Sequence, residues 1–187
     1  WRSTSIATRE FGQFIEWDED KEIDWLLLQY EKHEKLQKFV RALNRLYLTR
    51  KELWNEPEGW NNFAWASCDE AGRNAVALRR TDPSGELLCF FSFCPNPNPN
   101  FTAGVPEGSR WQLILSSDDE QFGGEGTALP AVLAAQPLSA AAAAQSEKTD
   151  ASAPFVSPLP QEICGQPAAV NIDLPPCCAA IYKRIYK

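Results

Sequence analysis

The chain of 187 residues contains no methionine and a single histidine, His33. Without methionine it has no initiating residue of its own, so it is expected to be a processed chain or a fragment. One histidine leaves little room for imidazole-based metal centres or proton relays. The six cysteines (Cys68, Cys89, Cys94, Cys164, Cys177 and Cys178) include no Cys-x-x-Cys pair, and His33 is distant in sequence from all of them. Zinc-site spacing is therefore lacking, and no metal is expected. The adjacency of Cys177 and Cys178 also suits a disulfide framework poorly. The cysteines are expected to be small, buried, reduced hydrophobes of a cytosolic protein. No apolar run approaches the roughly 20 residues that a membrane helix requires, so no membrane partner is expected. Basic residues are outnumbered, 18 against 25 acidic, for a net charge of −7. A surface of that sign is poorly suited to tracking phosphates, and no nucleic-acid partner is expected.

What the chain has is apolar and aromatic mass. Hydrophobic residues make up 44% and tryptophan occurs seven times, enough to build a core and to exclude wholesale disorder. The length suits one domain, or a small domain with a piece of another.

Four stretches differ in character. Residues 1–24 are polar and aromatic without clean periodicity. Residues 25–56 carry Leu36, Phe39, Val40, Leu43, Leu46 and Tyr47 at i, i+3, i+4, i+7, i+10 and i+11, one apolar stripe at the helical period. Glu34 and Lys38 stand i,i+4 on the polar side, and Pro57 and Gly59 end the helical region. His33 fits a packing or capping role better than that of a base. From residue 60 the pattern turns to short apolar or alternating runs, Phe63 to Cys68, Asn74 to Arg80, Glu86 to Phe93 and Arg110 to Leu115, with turn clusters between them. Among these is the proline-rich Pro95-Asn-Pro-Asn-Pro99. Such spacing predicts an antiparallel sandwich. Period two puts Trp111, Leu113 and Leu115 on one face, and Trp65 and Trp111 inside the sandwich. Residues 125–160, rich in alanine, proline and serine, read as a low-complexity linker or long loop. Two closing strands are expected around Pro167 to Pro176 and Ala179 to Arg184, broken by the Pro-Pro pair.

Two polar clusters invite a sharper reading. Ser117-Asp118-Asp119-Glu120 offers clustered oxygens to a hard cation, but without alternating ligand spacing it reads as a solvated turn. Phe122-Gly-Gly-Glu-Gly126 predicts a tight backbone path with positive φ. It is not a phosphate loop, since no Gly-Lys-Ser/Thr follows.

Several segments together carry a resemblance. They are Glu10-Phe-Gly-Gln13 with Glu16-Trp17; Ile23-Asp-Trp25-Leu with Tyr30, His33, Val40 and Leu43-Asn-Arg-Leu-Tyr47; Phe63-Ala-Trp65 with Cys68-Asp69; Gly104-Val-Pro106; Ser117-Asp118; Phe122-Gly-Gly-Glu-Gly126; and Leu174-Pro-Pro176. In this order and spacing the chain resembles the C-terminal part of the bacterial 1,4-α-glucan (glycogen) branching enzymes of glycoside hydrolase family 13. The resemblance implies a mainly β fold: an α-amylase-type C-terminal sandwich over residues 59–187, preceded over 1–58 by the last, mostly helical part of a (β/α)8 barrel. It implies a parent enzyme that moves α-1,4-glucan segments to make α-1,6 branches through a retaining mechanism with two carboxylates. Those carboxylates precede the region represented, so no catalytic residue is assigned and no cofactor is implied. Glu10, at a barrel mouth, and Trp17, whose indole suits stacking on a sugar ring, are implied as substrate-proximal. Cys177 stands where the family tends to carry leucine, which implies a buried apolar role. The implied partner is α-glucan, the parent monomeric and cytoplasmic; the alternative is a non-catalytic carbohydrate-binding sandwich module.

Overall fold

The computed structural model describes residues 25–55, 60–68, 72–138 and 162–186. The expectations for Glu10, Trp17 and the first 24 residues lie outside them, as does most of the alanine-rich tract. The described residues group into two compact units: 25–50 with Ser117–Thr127, and 51–116 with 128–186.

The expected helical span 25–56 is broken in three, the first two parts in the first unit and the last in the second. A 3-10 turn, Trp25–Gln29, leads into helix α1, Glu31–Thr49, through an extended Tyr30. A second 3-10 turn, Lys51–Leu53, follows an extended Arg50. The helix stops well before Pro57; in its last turn the Thr49 hydroxyl donates to the carbonyls of Arg45 (2.7 Å) and Leu46 (3.3 Å). The Glu34–Lys38 pair forms at 2.8 Å, and Glu31–Lys35 repeats it one turn earlier at 2.6 Å. Only part of the stripe is covered. Phe39 meets Phe122 at 5.4 Å between ring centroids, whereas Val40 and Tyr47 face solvent, as does Leu48 beside the stripe. His33 is buried, in agreement with a packing role.

The second unit is a pair of antiparallel sheets. The strands are β1 Phe63–Ser67, β2 Ala75–Asp82, β3 Gly85–Ser92, β4 Asn98–Val105, β5 Arg110–Ser116, β6 Val132–Ala134, β7 Gln136–Pro137, β8 Ala168–Leu174 and β9 Ala179–Ile185. Six form one sheet in the order β1-β2-β3-β9-β5-β6; the other is β4-β8-β7. The core lies between them. Leu88, Phe90, Trp111, Ala180 and Tyr182 of the large sheet meet Phe101, Val105, Val170, Ile172 and Leu174 of the small one. Phe90 is central: it packs edge-on against Phe101 at 6.3 Å and against Tyr182 at 5.8 Å. The two polar ring atoms of this core are satisfied. Trp111 Nε1 donates to Ser109 Oγ (2.9 Å), and the Tyr182 hydroxyl donates to the Pro130 carbonyl (3.0 Å). Burial out of water pushes the Tyr182 phenol well above its ordinary range.

β3 is apolar on both faces because both are buried. Leu88 and Phe90 point to the core, while Leu87 and Cys89 are equally buried on the opposite side. Burial pushes the Cys89 thiol up to about 12.

Several expectations are corrected. Trp65 is 44% exposed, not inside the sandwich. It pairs with Leu78 on the face opposite Ala77, and a bulge between Trp65 and Ser67 delivers Ala66 to the core instead. Trp111 is fully buried as expected, but Leu115 does not share its face. A bulge at 114 pairs Leu113 with Tyr182 and Leu115 with the adjacent Ile181, which points the other way. Residues 132–137 of the presumed linker form β6 and β7, with Leu133 in the core. The cluster read only as a turn runs into β4: Asn98 is buried, donating to the Arg73 carbonyl (2.9 Å) and Ser92 Oγ (3.2 Å). A register shift between Asn98 and Phe101 then accommodates Pro99 on this outermost strand. Of the cysteines, only Cys89 and Cys178 are buried; Cys94 and Cys177 are half-buried, and Cys68 and Cys164 are exposed.

Candidate functional site

Several charged side chains of the described residues are tied into the fold. Glu86 begins the core-facing register of β3, two residues before Leu88. Both its oxygens are taken by guanidinium groups from the neighbouring strands: Arg79 Nη1 of β2 on Oε1 and Arg184 Nη1 of β9 on Oε2, each at 2.7 Å. The carboxylate is only 3% exposed, and the two arginines 12% and 25%. Arg184 also lies over the Tyr186 ring at 5.3 Å. The triad spans three adjacent strands at one end of the core. Such an arrangement fixes strand register.

The loop over Ser117–Thr127 is built on Asp118. Its Oδ1 accepts from Glu125 N (3.1 Å), its Oδ2 from Thr127 N (2.9 Å), and its carbonyl from Gly126 N (2.7 Å). Asp119 accepts from Gln121 N at 3.0 Å and caps the short turn Glu120–Phe122. Backbone donors thus engage both Asp118 oxygens. Among the described residues, no group of three or more His, Cys, Asp or Glu is arranged to hold a metal ion. The same geometry explains the glycines. A side chain at Gly124 would bring its Cβ within 2.2 Å of the Asp118 backbone, and Gly123 sits at φ 88°. Sequence reasoning found the tight turn but not its organiser.

Other carboxylates are engaged in the same way. Asp82 accepts from Ser84 and from Asn55 Nδ2, and these bonds, Ser84's first, hold its carboxyl below the usual range. Asp173 Oδ1 accepts from Asn100 N (2.7 Å), supporting the positive φ of Asn100. Arg80 donates to the carbonyls of Glu52 (3.1 Å) and Leu53 (3.3 Å), tying residues 51–53 to the sandwich.

Exposed aromatics remain. Phe63 and Trp65 pack edge-on at 4.9 Å on the outer face of edge strand β1. A half-exposed indole braced by a neighbouring ring offers a flat apolar surface of the kind on which sugar rings stack. Glu10 and Trp17, the residues singled out from sequence, lie outside the described residues. The triad was missed, although a carboxylate at inward parity in an apolar strand signals a buried cationic partner. No helix among the described residues is long and apolar enough to cross a membrane.

Two antiparallel sheets packed face to face define an all-β module. The family model described as "Alpha amylase, C-terminal all-beta domain" matches residues 65–184, and the chain belongs to that family. Its relatives agree in name. It is 30% identical over 178 residues to the 1,4-alpha-glucan branching enzyme GlgB of Halothermothrix orenii, covering 93% of the chain and 24% of the relative. To the enzyme of that name from Marinobacter nauticus it is 37% identical over 131 residues, covering 68% and 21%. To that of Pseudomonas putida it is 41% identical over 116 residues, covering 62% and 16%. The chain thus spans about a quarter or less of the length of these relatives.

Proposed function

We propose that this chain is the C-terminal portion of a 1,4-α-glucan branching enzyme and serves it as scaffold rather than as reaction centre. The observation that carries this reading is the family match over 65–184 together with branching-enzyme relatives matched along most of the chain. In this reading residues 1–58 close a catalytic barrel and residues 59–187 form the appended sandwich. Glu10 and Trp17 stand near the glucan, and the nucleophile and the acid/base carboxylate belong to the upstream part of the parent. The parent is cytoplasmic and monomeric, and its substrate is α-glucan. The structural engagement of Glu86, Asp82 and Asp173 supports a supporting role for the sandwich. The test is an iodine-staining assay. The chain alone is expected to leave the amylose–iodine absorbance unchanged, and a fall in that absorbance refutes the assignment.

A second reading, a glucan-holding module, is favoured by the exposed Phe63–Trp65 pair. Affinity electrophoresis in glycogen-containing gels separates the two. Retarded migration that is lost in Trp65→Ala supports glucan holding, and unretarded migration leaves the scaffold role alone.

A further inference from the structure

The chain passes between the two sheets at neighbouring points. β3 leaves the large sheet at Ser92 and re-enters the small one as β4 at Asn98; β8 leaves the small sheet at Leu174 and returns to the large one as β9 at Ala179. Cys94 lies in the first crossing and Cys177 in the second. The two crossings are laced together. Ser92 N donates to the Cys178 carbonyl (2.8 Å), Cys177 N donates to the Cys94 carbonyl (2.9 Å), and Cys177 Sγ lies 3.5 Å from that same oxygen. The backbone hydrogen bond from Cys177 to Cys94 makes the two residues direct neighbours across the crossings, and a disulfide needs such neighbours, with Cα atoms roughly 4.4–6.8 Å apart. Cys177 also has φ 45°. Glycine or asparagine meets that conformation at lower cost, so turn geometry does not account for a cysteine there. Both residues are half-buried, within reach of a small reagent, whereas Cys89 and Cys178 are buried. The buried apolar role expected for Cys177 is therefore not what the fold gives it.

We propose that Cys94 and Cys177 form a reversible disulfide that staples the two inter-sheet crossings. With a low-molecular-weight disulfide as oxidant, here oxidised glutathione, the Cys177 thiol gives up its proton and its sulfur attacks the glutathione disulfide. This expels one glutathione thiolate. The Cys94 thiolate then attacks Cys177 Sγ in the mixed disulfide and expels the second. The two protein thiols are oxidised by two electrons and the glutathione disulfide is reduced by two, with the two protons ending on the two glutathione thiols.

The test uses the full chain, incubated folded with oxidised glutathione, quenched by alkylation and mapped by peptide mass spectrometry. The expected product is a Cys94–Cys177 cross-linked peptide pair, two hydrogens lighter than its parts and released by dithiothreitol. The oxidised chain should melt several degrees higher than the reduced one, because the bond closes a long loop, and Cys94→Ser should lose both effects. Cys178→Ala removes the vicinal competitor and should still form the cross-link. The proposal is overturned by a Cys177–Cys178 linkage in its place, by glutathione adducts that persist on Cys94 or Cys177, or by both thiols remaining alkylatable. Mapping of the unmodified sequence decides the matter even if a variant fails to fold.

Discussion

Replacing Glu86 with glutamine tests whether the sandwich depends on one buried charge. The change is nearly isosteric, so packing is conserved while the charge is lost. Each guanidinium faces the carboxylate at 2.7 Å. Unit charges about 4 Å apart attract by about 4 kcal/mol at an effective dielectric of about 20. The two arginines repel each other, and burying the carboxylate has its own cost. Removing one partner of a buried pair typically costs about 3–5 kcal/mol. Arg184 is 25% exposed, so water screens part of the uncompensated charge. The expected loss is therefore near the lower end, about 3 kcal/mol, or about 6–12 °C in Tm for a chain of this size. Urea unfolding of the wild-type and Glu86→Gln chains measures it. A triple replacement of Arg79, Glu86 and Arg184 by Met, Leu and Met should recover most of the loss, since it removes the buried charges together. A Glu86→Gln chain within about 0.5 kcal/mol of wild type, the range of ordinary surface changes, would refute the reasoning.

The two tryptophans give a contrast: Trp111→Ala should cost about 3–5 kcal/mol in urea unfolding, and Trp65→Ala under about 1.5 kcal/mol, so equal losses would contradict the assigned faces. Gly124→Ala should destabilise by about 1–3 kcal/mol, because the new methyl meets the Asp118 backbone; a melting temperature equal to wild type would refute the Asp118-centred loop. Alkaline pH should destabilise the sandwich through Cys89, whose folded thiol is held up to about 12 against an ordinary 9.0. Below pH 9 both states keep the proton; above it the unfolded chain loses a proton that the folded chain retains, so stability falls by up to about 1.4 kcal/mol per pH unit until about pH 12. Cys89→Ala should flatten that slope in pH-dependent urea titrations, and an unchanged slope would contradict the burial of the thiol. The exposed Val40, Tyr47 and Leu48 of α1 predict weak self-association of the isolated chain, which a monodisperse monomer in light scattering would refute.

The strands that sequence reasoning found were those whose burial matched their composition. β3 was legible because both its faces are buried, leaving a nearly unbroken apolar run. β4 was not, because it begins in Pro95-Asn-Pro-Asn-Pro99, where each proline argues for a turn. The fold tolerates Pro99 only by placing it on an outermost strand, beside a register shift and an asparagine at positive φ. Parity read from the string also assumes an unbroken pleat. The bulges at Ala66 and at residue 114 break it, which is why Trp65 and Leu115 exchange the faces they were expected to take. β6 and β7 were hidden by the low complexity of their surroundings, since a strand of two or three residues leaves no periodicity to detect. Of the candidate site, the Phe122-Gly-Gly-Glu-Gly126 turn was legible through its glycines. The Glu86 triad required knowing that β2, β3 and β9 lie side by side, a pairing of residues far apart in sequence that no local pattern encodes.

That distinction bears on how the chain's acidic residues are to be understood. A carboxylate that works on substrate needs an oxygen free to accept or donate a proton, or to attack. Here Glu86 is held by two guanidinium groups, Asp118 by two backbone N–H groups, and Asp82 and Asp173 by neighbouring amide or hydroxyl donors. In each case the partner comes from the element the carboxylate must hold in place: an adjacent strand, the far end of its own loop, or the next turn. A group used in this way fixes geometry through the hydrogen bonds it accepts. The acidic excess of the chain is thus in part structural. At these positions it marks where strands are registered and loops are closed.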